Sequence, residues 1–160
     1  MSDNPPGKPG APRGAGWESL GKHWLRVEDD VLHAICHGGF NLEEMKRIVE
    51  ECRLIGERYG YVMVYIDGTH AAWSTPEARK YQASSMSERV LPNHTVVLGA
   101  NIMIRATVGL VHRAVHLLTG KVLNASFVDT EEAARAVLSR ARQQFVAQGI
   151  TRPPRRDGSA

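Results

Sequence analysis

The chain is predicted to fold as one α/β domain, a mixed five-stranded sheet carrying four helices in the order β-β-α-β-α-β-α-β-α. Three observations predict it. Tyr61–Ile66 (YVMVYI) is apolar throughout, as befits a strand covered on both faces, and it ends at Asp67 ahead of the helix start Ser74-Thr75-Pro76-Glu77. The same handover from strand to helix recurs along the chain. It gives three strand-helix-strand crossovers, which require parallel neighbours. Finally, His23–Glu28 and Val31–His37 alternate around Asp29-Asp30, a hairpin pattern that adds an antiparallel strand.

Taken in order, residues 1–16 (MSDNPPGKPGAPRGAG) are Pro, Gly and small polar residues with no hydrophobic period, so they are expected to be disordered. Trp17 is the first expected anchor to a domain spanning 17–149. After the hairpin, Gly38-Gly39 turns the chain, and Asn41 with Glu44 forms a capping-box pattern. Leu42, Met45, Ile48, Val49, Cys52, Ile55 and Tyr59 then keep helical spacing on one face until Gly60. The helix that opens at Ser74 or Thr75 has a poor apolar stripe in Ala83–Ser87 and should pack loosely. Thr95–Leu98 is a short strand, and Asn101 caps the next helix. There Ile104, Val108, Val111, Val115 and Leu118 form one stripe, with Arg105, Gly109, His112 and His116 forming another. Val122–Val128 is the last strand. A final helix begins at Asp129-Thr130 and turns Ala134, Val137, Leu138, Ala141 and Phe145 inward. Residues 150–160 read as a disordered basic tail.

Composition narrows the function. With 160 residues, 42% hydrophobic and 23% charged, the chain matches an ordinary globular protein. The pI near 9.1 suggests nucleic acid until the charge is located. Lys8 and Arg13 against Asp3, and Arg152, Arg155 and Arg156 against Asp157, account for the whole formal +3. Residues 17–149 are formally neutral, which argues against nucleic-acid binding by the folded part. Cys36 and Cys52 form no CxxC and fit two packed thiols in a reducing cytoplasm. No signal peptide is seen, and Ile102–Leu118 carries Arg105, His112, Arg113 and His116, so no stable membrane insertion is expected.

The element order, with YIDGTHAAWSTPEARKY at Tyr65–Tyr81, resembles the STAS domain, and most nearly the SpoIIAA-like branch of anti-sigma factor antagonists. The resemblance covers roughly residues 22–144 and rests on topology and hydrophobic pattern. It implies a domain that binds proteins rather than one that catalyses. In that branch a hydroxyl at the start of the second helix is phosphorylated by a partner kinase that doubles as an anti-sigma factor. Asp67 matches the acid at the end of the family's third strand, and Ser74 and Thr75 match its hydroxyl pair. The family's Asp-Ser-Ser-Gly is not reproduced, because Trp73 precedes the pair and Pro76 follows it. Relatives in this branch are compared with CRAL-TRIO lipid carriers, which keeps a small ligand in view.

Ser74 and Thr75 are thus the candidate phosphoacceptors, although a neutral hydroxyl there already serves as a helix cap. Asp67 has three readings, a hold on a partner's base, a hold on a metal, and a local hydrogen bond to amides in its own turn. His112 and His116 stand one helical turn apart, but no third ligand accompanies them, so neither a metal nor another cofactor is expected. With Arg105 they form a stripe that suits an anion or a partly solvated face. No nucleophile-base pair supports catalysis. Two functions are carried forward. One is a cytoplasmic interaction module binding a kinase or anti-sigma factor, with homodimerisation left open. The other is a carrier or sensor of a small apolar or anionic ligand, its pocket lying between the second and third helices near Trp73, Met86 and Met103.

Overall fold

The computed structural model describes residues 12–150, so the expected tails fall mainly outside the described residues. Ten elements follow one another: β1 (Glu18–Leu20), β2 (His23–Glu28), β3 (Val31–Gly38), α1 (Leu42–Tyr59), β4 (Val62–Ala71), α2 (Pro76–Glu88), β5 (Asn93–Leu98), α3 (Ile102–Thr119), β6 (Ala125–Val128) and α4 (Glu131–Ala147). The α/β class, the four helices and the mixed sheet are as expected. The strand count is not, because the sheet has six strands in the order β1-β2-β3-β4-β5-β6. The added strand is β1, whose three residues pair antiparallel with β2. Three residues are too few to show a period, and the partner strand rather than a local signal holds them extended. Trp17, just before β1, has the Arg26 guanidinium 4.7 Å from its ring centre.

β2 and β3 pair antiparallel, and β3 to β6 run parallel. The hairpin turn sits at Asp29, whose φ of 52° is left-handed. Aspartate tolerates that region better than most residues. Because each parallel strand is added on the same side, right-handed crossovers place α1, α2 and α3 side by side on one face. α4 packs on the opposite face, against β5 and β6.

Two cores result. On the α4 face Val31, Tyr61, Met63 and Val96 meet Ala134, Leu138, Ala141 and Phe145. On the other face Leu25, Ala34 and Cys36 pack under α1 with Ile48 and Ile66. Successive residues of β3 thus serve different cores, which is why the central strands are apolar on both faces. One polar cluster ties the layers together. Arg142 of α4 donates to both carboxylate oxygens of Asp30, and Tyr61 donates to the same carboxylate.

The caps follow the sequence closely. Asn41 and Glu44 form the full capping box, Asn101 caps α3 through Ile104 N–H and Thr130 caps α4 through Ala133 N–H. At α2 the cap is Thr75, not Ser74. Two boundaries and one expected burial differ. β4 continues to Ala71 because β3 still pairs with it beyond an irregularity, matching His37 with His70 and Gly38 with Ala71. Asp67 therefore lies within a strand rather than at its end. β6 starts only at Ala125, because the Asn93 side chain and carbonyl hold Asn124 in place of a ladder. Leu118, expected in the buried stripe of α3, is 69% exposed, since it points toward the gap between α2 and α3 and not toward the sheet.

Candidate interaction site at the carboxyl edge of the sheet

Two loops meet where β3 and β4 end. Gly39 lies so close to Trp73 that a Cβ there would sit 1.8 Å from the Trp73 carbonyl oxygen, so only glycine fits. The next residue, Phe40, donates its N–H to Ser74 Oγ at 3.1 Å. Its carbonyl accepts from Thr75 N–H at 2.9 Å. The start of α2 is thus clamped to the turn that leads into α1. Arg79 completes the arrangement by donating to the Ser74 carbonyl at 3.0 Å, with its guanidinium 4.8 Å from the Trp73 ring centre. This fixes an aromatic ring that remains 40% exposed.

The two hydroxyls differ in consequence. Ser74 is half-buried inside the clamp, whereas Thr75 is exposed and accepts from Ala78 N–H at 3.2 Å. Pro76 brings no N–H to this first turn, so the start of α2 offers an anion fewer amides than most helix N-termini. On the α4 face of the same edge, His37 stacks on His70 with ring centres 5.6 Å apart. Burial lowers the His37 pKa and so does the neighbouring His70, against the pull of Asp67. Asp67 itself accepts from Thr69 N–H at 3.0 Å, the local bond anticipated for it.

The other expected site residues are distributed rather than gathered. Arg105 is in the first turn of α3, at this same edge, but it donates to the Ala100 carbonyl and lies over Phe127. Met86, His112 and His116 belong to the later turns of α2 and α3, toward the opposite edge. His112 and His116 border a second hollow with Leu117 and Val122. Burial lowers the His112 pKa, so its ring is neutral at physiological pH. Among the described residues no group of three or more His, Cys, Asp or Glu is placed to hold a metal ion, and no helix is long and apolar enough to cross a membrane. Burial pushes the Cys36 and Cys52 thiols up to about 12, which leaves both unreactive at neutral pH.

A groove of about 670 Å³ does run between α2 and α3. Its lining is Ala83, Ser84, Ser87, Leu110, Ala114 and Leu118 among others, and it does not include Trp73, Met86 or Met103. Sequence reasoning missed Phe40, Gly39 and Arg79 as partners of Ser74 and Trp73. Gly38-Gly39 signalled a turn, but nothing local could say which loop it would touch. No family model, curated protein or solved structure matches the chain.

Proposed function

We propose that this chain is a non-enzymatic regulatory module of the STAS type, resembling an anti-sigma factor antagonist, which presents the start of α2 to a protein partner. The observation that carries the proposal is Trp73, a large ring left exposed yet held by Arg79 on a loop clamped through Ser74 and Phe40. Rigid, exposed aromatic residues make strong anchors because little entropy is lost when they are covered. Thr75 beside it supplies an exposed hydroxyl for a kinase, and a phosphate there would add charge at the contact itself. The partner is a kinase or anti-sigma factor met in the cytoplasm, where buried Cys36 and half-buried Cys52 stay reduced.

The test is affinity capture from a bacterial lysate with quantitative mass spectrometry, comparing wild type, Trp73→Ala, Ser74→Asp and Thr75→Asp. A kinase or anti-sigma factor retained by wild type and lost by Trp73→Ala is expected. Profiles that are the same for all four proteins would overturn the proposal.

A second reading, the carriage of a small apolar or anionic ligand, draws on the α2–α3 groove, whose volume lies within the range of small-molecule sites. Such sites bury most of their ligand, whereas this groove is walled by exposed Leu110 and Leu118. That makes it the weaker reading. Native mass spectrometry decides it, since a carrier would show additional bound mass.

A further inference from the structure

The α2–α3 groove points instead to a macromolecular occupant. We infer that it receives an acidic, amphipathic α-helix of a protein partner, an inference that rests on the interaction-module reading and names the partner's chemistry.

α3 has two apolar faces. Ile104, Val111 and Val115 are buried toward the sheet. On the other side Met103, Ala106, Leu110, Ala114 and Leu117 recur at steps of three and four, which aligns them along one stripe. Much of that stripe is left open by the described residues: Leu117 is 85% exposed, Leu110 52% and Met103 40%, while Ala114 is half-buried beside α2. Ile102, Leu118 and Val122 nearby are 83%, 69% and 64% exposed. Large apolar residues exposed together in this way mark a contact surface.

The shape of the groove selects a helix. Its α2 side is lined by the small side chains Ala83, Ser84 and Ser87, and its α3 side by Ala114 with Leu110 and Leu118 one turn before and after it. Small residues along the seam of two helices let the ridge of a third helix seat between them. A flat lipid surface would touch the exposed leucines and leave the seam between α2 and α3 unfilled.

Charge selects an acidic helix. From Arg89 to Val128 the chain contains no Asp or Glu, while Arg89, Arg105, Arg113 and Lys121 are cationic. Arg79 and Lys80 add positive charge along the α2 wall, opposed by Glu88. A second copy docking α3 against α3 would bring together two segments that each carry Arg113 and Lys121 and no acid. The terminal segments 1–16 and 150–160 are net basic and fit no better. An amphipathic helix flanked by Asp and Glu complements both the apolar stripe and its cationic rim.

The experiment selects binders to the full-length protein from a displayed library of randomised helical peptides. The winners are then measured by fluorescence anisotropy against wild type, Leu110→Glu, Ala83→Trp and Lys80→Glu. Leu110 is exposed, so its replacement should leave the fold intact, and circular dichroism confirms this for each variant. Enriched peptides should carry apolar residues at i, i+3 or i+4, and i+7, with acids beside them. Their affinity should fall at least about tenfold with Leu110→Glu or Ala83→Trp, as for loss of one anchor, and less with Lys80→Glu. Peptides without acids, or binding indifferent to all three substitutions, overturn the inference. Flotation with phosphatidylglycerol vesicles, or sedimentation as a dimer, that is abolished by Leu117→Glu overturns it in favour of a lipid surface or a second copy. A library that yields no groove-directed helix, while Trp73→Ala still loses a captured partner, refutes this inference alone. The reading of the α2 start fails separately, when Trp73→Ala captures what wild type captures.

Discussion

Arg142 holds both carboxylate oxygens of Asp30, Nε to Oδ2 at 2.8 Å and Nη2 to Oδ1 at 2.5 Å, across 112 positions of sequence. The pair is asymmetric, since the Asp30 side chain is 5% exposed and that of Arg142 44%. Burial alone would raise the Asp30 pKa, but the hydrogen bonds from Arg142 and Tyr61, with the Arg142 charge, bring it below its ordinary value. The cluster joins the β2–β3 turn, the entry to β4 and α4.

The asymmetry predicts unequal mutants. Arg142→Ala leaves a buried carboxylate with Tyr61 as its remaining side-chain donor, and should cost about 3 kcal/mol. Asp30→Asn leaves a guanidinium that can turn to water, and should cost about 1.5 kcal/mol. Urea denaturation checks the order, which should appear as shifted midpoints at constant slope. Equal or reversed losses would show that the cluster is not organised around the buried carboxylate.

Acid should destabilise the fold well before Asp30 titrates. Burial lowers the pKa of His23, His33, His37, His94 and His112 from the ordinary histidine value of 6.5. For His23 and His33, Glu44 and Glu28 respectively oppose the shift. The unfolded chain therefore binds protons first, and stability present above pH 6.5 is lost as the pH falls toward the folded-state values. Asp30 has the opposite charge type but a depressed pKa too, so its contribution holds until the pH drops below 3.8. Thermal melts from pH 7.5 to 5 should show a falling Tm. His23→Gln keeps an acceptor for the His37 amide and should flatten the slope. A Tm independent of pH over this range would refute the account.

Two glycines should respond in opposite ways to alanine. At Gly39 the new methyl meets the Trp73 backbone, which cannot give way without opening the Ser74–Phe40 clamp, so a loss of about 2 kcal/mol is expected. At Gly109, within α3, a Cβ would meet nothing within 4 Å, so Gly109→Ala should stabilise by roughly 0.5–1 kcal/mol. Differential scanning calorimetry separates the two, and a stabilised Gly39→Ala would contradict the close approach.

The hydroxyls at the start of α2 should also separate. Ser74→Ala removes the acceptor for Phe40 N–H and should cost about 1 kcal/mol. Thr75→Asp keeps a good cap near the helix N-terminus and should lie within about 0.5 kcal/mol of wild type. A Thr75→Asp protein that unfolds more readily than Ser74→Ala would assign the roles the other way round.

Much of the fold was legible because it depends on neighbours in sequence. The capping box at Asn41, the caps at Asn101 and Thr130, and every inward residue named for α4 follow from side chains three or four positions apart. The site was less legible. Trp73, Ser74 and Thr75 stood out by type, but their partners Gly39, Phe40 and Arg79 became visible only when the two loops met. The second apolar stripe of α3 was present in the letters as Met103, Leu110 and Leu117. No periodicity rule says which of two apolar faces a sheet will cover.

The sequence by itself determined the class of the domain, the order of its helices and the apolar faces of α1 and α4, since these arise from local periodicity and local hydrogen bonds. Only the tertiary structure decided the sixth strand, the Asp30–Arg142 pair, the clamp under Trp73 and the face of α3 left open. Each of these depends on groups brought together from far along the chain. A local pattern carries no information about which distant backbone will pair, crowd or leave a surface bare.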